Sequence, residues 1–84
     1  MPKQLHSATK VRLSRRMAFR LAQAEAYRRI SVGHVPGTLS EFASQLSAWL
    51  ASAHPGAPAI PASAIEKALR ETWDHRHEMT GSDL

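Results

Sequence analysis

Hydrophobic and polar positions fall into three stretches of helical period, separated by two connections rich in glycine and proline. The first stretch covers residues 10–30, KVRLSRRMAFRLAQAEAYRRI. At about 100° per residue, Leu13, Met17, Leu21 and Ala24 share one apolar stripe. Phe19, Ala22, Ala26 and Ile30 share another, and Arg12, Arg16, Arg20, Gln23 and Tyr27 a third that is polar. Two apolar stripes predict a central packing helix with one cationic edge shown to a partner. The Phe19 stripe reads either as ordinary core or, more sharply, as a dimer seam.

The second stretch covers residues 38–53. TLSE is a capping box, in which Thr38 receives the Glu41 amide and Glu41 can reach back. Leu39, Phe42, Ala43, Leu46, Trp49, Leu50 and Ala53 then make one broad apolar face. The opposite face (Ser40, Ser44, Gln45, Ser47) is short and uncharged, so partial cover is expected there too. The third stretch covers residues 63–78 and opens on a second capping box, SAIE, from Ser63 to Glu66. Ile65, Ala68, Leu69 and Trp73 face inward by period, and Glu66, Lys67, Arg70, Glu71 and Asp74 outward. Glu66 and Arg70 have the favourable i,i+4 order.

Gly33, Pro36 and Gly37 break the chain after Ile30 or Ser31, and HPGAPAIP, residues 54–61, makes a stiff link. Residues 1–9 form an arm without helical period, and residues 79–84 a frayed tail. QLHSATKVRL alternates, with Thr9, Val11 and Leu13 on one side and Lys10 and Arg12 on the other. Either the first helix begins near Thr9, or a strand runs to Leu13 and Ser14 caps a helix starting at Arg15. The fold class is therefore mainly α. It is a single small three-helix domain over 1–84, with a short N-terminal β-strand forming an intersubunit ribbon as the variant.

Composition changes this picture in two ways. Eighty-four residues support only a small core, a size at which oligomerisation is a common remedy. Charge is also unevenly spread. Residues 1–30 carry eight Lys/Arg against one Glu, a net of +7, and residues 31–84 three against six acids, a net of −3. That polarity suits a polyanionic partner at one end, against mutual neutralisation of the two halves. The chain has no cysteine, hence no disulfide or thiolate metal site. No apolar run approaches a membrane span or a signal peptide, so the expectation is a soluble, cytoplasmic protein with no membrane partner.

Catalysis is not expected. The four glycines sit at turns or the tail, no phosphate loop is present, and no nucleophile motif occurs. Nor is a metal or other cofactor. Asp74 and Glu78 have i,i+4 spacing, but His75 and His77 diverge on a helix and Arg76 lies between them. A solvated helix end, with His near the C-terminal dipole, explains that segment.

The arginines carry the functional signal. Guanidinium groups pair bidentately with phosphate, and successive turns set Arg12, Arg16 and Arg20 about 6 Å apart. Gln23 and Tyr27 extend the stripe with groups that hydrogen-bond or stack. Lys10, Arg15, Arg28 and Arg29 are supporting candidates. The competing reading is a solvated face, or arginines paired with the acidic third helix.

Residues 9–50 resemble the ribbon-helix-helix family of small dimeric DNA-binding proteins. The resemblance rests on the alternating TKVRLS, on Ser14 at the cap, on Met17, Leu21 and Ala24, and on the capped second helix near LSEF. It implies that two strands, one per subunit, pair and enter the major groove, where Lys10, Arg12 and Ser14 would read bases. The second helix N-terminus, near Thr38 to Ser40, would hold a phosphate. The connection Ser31 to Gly37 is longer than the family's short turn, and the third helix lies outside the resemblance. The expected function is nucleic-acid binding, DNA rather than RNA, by a homo-oligomeric regulator or accessory factor. The alternative is a helical protein-interaction module that docks its arginines on an acidic partner, with Phe19 or Trp49 as anchor.

Overall fold

The computed structural model describes residues 13–79, in which four helices occur and no strand. They are α1 (Arg15–Ser31), α2 (Leu39–Ala53), α3 (Ala62–Asp74) and the single turn α4 (Arg76–Met79). The strand expected over residues 9–13 lies outside the described residues, apart from Leu13.

Helix α1 starts where Ser14 can cap it. The Ser14 hydroxyl accepts from the Met17 amide at 3.1 Å, and its carbonyl from the Ala18 amide at 2.9 Å. Of the two starts the sequence allowed, this is the later one. The helix ends in a paired-bond stop: the Gly33 amide donates to Ile30 and the His34 amide to Arg29, at 3.0 and 2.8 Å. Gly33 has φ +78°, a left-handed conformation that a glycine adopts without a Cβ clash. Helix α2 begins as its capping residue predicts, with the Thr38 hydroxyl accepting from the Glu41 amide at 3.2 Å.

Helix α3 corrects the expectation in two places. Ser63 does not cap it. Pro61 occupies the cap position without a side-chain bond, and its carbonyl accepts from Ala64 and Ile65. The reason lies in the preceding link: Ile60 is fully buried, and its carbonyl accepts from the Ser47 hydroxyl on α2 at 2.7 Å. That anchor fixes where Pro61 lies, and its extended backbone (φ −67°, ψ 152°) hands the chain to a helix that begins at Ala62. At the other end the helix does not run to Glu78. It stops at His75 and re-forms as α4, where the Arg76 guanidinium lies 4.0 Å from the Trp73 ring centroid and donates to the Trp73 carbonyl at 2.8 Å.

The core joins Leu39, Phe42, Ala43, Leu46 and Leu50 of α2 to Ile60 of the link and to Ile65, Leu69 and Trp73 of α3. Phe42 and Trp73 meet with ring centroids 5.4 Å apart. Helix α1 adds Ala18, Ala22, Ala26 and Ile30 to it. Three alanines one turn apart leave no ridge, so the helix lies close against the α2–α3 pair.

Helix α1 therefore buries one side rather than two, an arc of about 120°. Ala22, Ala26 and Ile30 are core within a single chain, so the stripe is not free to be a dimer seam. Phe19 is partly buried beside them, and Ala18 completes the row. The other apolar stripe faces away: Met17 is 43% exposed, Ala24 is exposed, and only Leu21 packs against the core. In α2, Ala53 is exposed instead of buried; in α3, Ala68 is exposed and sits at a groove edge. Ser47 is half-buried while Ser40, Ser44 and Gln45 stay exposed, so the polar face of α2 is covered at one position. The Glu66–Arg70 pair forms at 3.5 Å.

Candidate nucleic-acid interface

The flank of α1 about 110° round from the centre of the alanine row carries the candidate site. Arg16, Arg20, Gln23 and Tyr27 are all exposed and fall within an arc of about 60°. The geometry thus keeps together the part of the polar stripe that lies in the helix. Lys10 and Arg12 lie outside the described residues.

Within the stripe, the Gln23 side-chain amide donates to the Tyr27 hydroxyl at 3.2 Å. That bond spans one helical turn and does not use the Gln23 carbonyl or the Tyr27 proton, which remain available to a ligand. Arg16 and Arg20 pair with no acid among the described residues. Arg15 turns aside, its guanidinium 5.4 Å from the Phe19 ring centroid, and it too lacks an acidic partner among the described residues.

Arg28 and Arg29 are engaged differently. Both converge on Glu25, the only acid of the first thirty residues. Arg28 grips the carboxylate with two bonds, at 3.0 and 2.8 Å, and Arg29 adds a third at 2.7 Å. The hydrogen bond from Arg28 is the main reason the Glu25 carboxyl is held down at about 2 against a usual 4.5; partial burial opposes it, and Arg29 assists. The same bond raises the Arg28 guanidinium further above its ordinary value. Two cations and one anion make a cluster of net +1, so this end of α1 offers less to a polyanion than its arginine count suggests. The spacing that produces it, i+3 and i+4 from Glu25, was present in the sequence.

The structure adds a feature no single stretch of sequence displays. Phe19, Ala22 and Gln23 of α1 face Ile65, Ala68 and Leu69 of α3 across an open groove of about 270 Å³. None of the six lining residues is charged. Its α1 wall lies directly beside Arg15 and Arg16.

No family model, curated protein or solved structure matches the chain.

Among the described residues no group of three His, Asp or Glu side chains could hold a metal ion. At the α3 end, the Nδ1 of His75 lies 3.0 Å from the Glu71 carbonyl. That contact, followed by the charge of Glu78, raises the imidazole above its usual range. Among the described residues no helix is long and apolar enough to cross a membrane.

Proposed function

We propose that this protein binds nucleic acid, DNA in the first instance, through phosphate contacts made by helix α1. One observation carries the reading: Arg16 and Arg20 stand exposed, one turn apart on the same face, with no acid among the described residues to neutralise them. Guanidinium groups so placed are free to pair with successive phosphates and to release their counterions. Arg15 stands at the same end of the helix as a third contact. Gln23 and Tyr27 offer hydrogen bonding and stacking beside them. Arg28 and Arg29 fall to a lesser role, since Glu25 already occupies both. A regulator or accessory factor of a DNA transaction fits such a surface, and Lys10 and Arg12 add two further cations in the sequence just before it.

Fluorescence anisotropy with a labelled duplex of random sequence, titrated across salt concentrations, tests the reading. Three phosphate contacts predict a slope of log affinity against log salt near −3, on the basis of about −0.9 per phosphate. Weak binding that does not respond to salt would remove phosphate recognition and turn the arginines into a protein-docking face.

A further inference from the structure

We infer that the groove between α1 and α3 receives an unstacked nucleobase, so that the favoured ligand is single-stranded rather than duplex nucleic acid. The inference rests on the phosphate-binding reading of α1 and adds to it the form of the ligand.

The groove lining is apolar except for Gln23 and includes one aromatic side chain, Phe19 of α1, with Ile65, Ala68 and Leu69 on α3. Such a slot suits a flat π-surface, because base–aromatic stacking tolerates any of the bases. Gln23 is the one polar side chain in the lining. Its amide nitrogen is already held by Tyr27 at 3.2 Å, which fixes its orientation and leaves its carbonyl to accept from a base edge. Charge selects the rest of the ligand. The residues one turn before Phe19 are Arg15 and Arg16, with Arg20 next to it, and none of the three meets an acid among the described residues. The site thus pairs an apolar slot with a cationic border and no acid in its lining, complementary to a base joined to phosphates. A duplex keeps its bases stacked inside and presents only phosphates to α1. A single strand satisfies both parts.

The test compares a short labelled single strand with the duplex of the same sequence, using the full chain and its Ala68→Leu variant. Ala68 is exposed at the groove edge, so a leucine there fills the slot without entering the core. The single strand is expected to bind about tenfold more tightly than the duplex, and Ala68→Leu to lower it to the duplex level while the duplex affinity stays unchanged. Circular dichroism confirms that the variant folds. Independently, adenosine, which carries no phosphate, is expected to shift the Ala22 and Ala68 methyl resonances of the unmodified chain. Equal affinity for both forms, unaltered by Ala68→Leu, would overturn the groove inference and leave the arginine reading standing. Loss of all oligonucleotide binding would overturn both. Binding of an acidic, phenylalanine-containing peptide that Ala68→Leu blocks, with no oligonucleotide bound, would assign the groove to a protein partner instead.

Discussion

The hydroxyl of Ser47 donates to the carbonyl of Ile60 at 2.7 Å, tying the middle of α2 to the proline-rich link thirteen residues further on. This bond satisfies a backbone acceptor beside a fully buried side chain, and it sets where α3 begins. Ser47→Ala leaves that carbonyl without its partner and is expected to cost about 1 kcal/mol. Urea unfolding should show a lower midpoint with an unchanged slope. An unaltered midpoint would mean the link is held by the burial of Ile60 alone.

The three serine and threonine positions that read as helix caps separate into two kinds. Ser14→Ala and Thr38→Ala each remove an acceptor for an amide in the first helical turn, and each is expected to cost about 1 kcal/mol. Ser63→Ala removes nothing of the sort, because Pro61 holds the cap, and should change stability by less than about 0.5 kcal/mol. Thermal melts of the three variants side by side check the contrast.

Glu25 gives α1 a dependence on acid. Its folded pKa, about 2, lies below the usual 4.5, so the folded state favours the ionised form. The resulting stability is fully present above about pH 4.5 and is lost as the pH falls toward 2. Glu25→Gln has no such proton to bind. Between pH 5 and 3 the unmodified chain is thus expected to lose more stability than the variant, as denaturation at each pH would show.

Much of the fold is legible in local pattern. The Thr38 cap, the Gly33 stop and the apolar face of α2 depend on residues within a few positions of one another, and each appears in the structure. The later start of α1 was one of two that the sequence left open. What failed to show depends on contacts between segments. SAIE is a sound local signal at Ser63, yet Ile60 and Ser47 decide the start of α3 from outside it. Helix α1 displays two apolar stripes, but three small alanines can bury only one side against the α2–α3 pair, and Met17 is left exposed. Periodicity alone cannot say which stripe wins, since the answer depends on the surface it meets.

The candidate site divides in the same manner. The exposed alignment of Arg16, Arg20, Gln23 and Tyr27 follows from helical geometry and was predictable. The pairing of Arg28 and Arg29 with Glu25 was readable from spacing as well, though a count of charges hides it. The groove joins residues more than forty positions apart and has no signature in either helix taken singly.

If the exposed arginines of α1 are the nucleic-acid contact, reversing their charge removes it. The measurement is oligonucleotide affinity for the double variant Arg16→Glu and Arg20→Glu, by anisotropy at low salt, beside the unmodified chain. Both side chains are exposed and make no ion pair with a described residue, so far-ultraviolet circular dichroism and the melting temperature should stay close to those of the parent. Affinity is expected to fall below detection, since two attractive contacts become repulsive ones. A folded double variant that binds as tightly as the parent would mean that these arginines are not the contact.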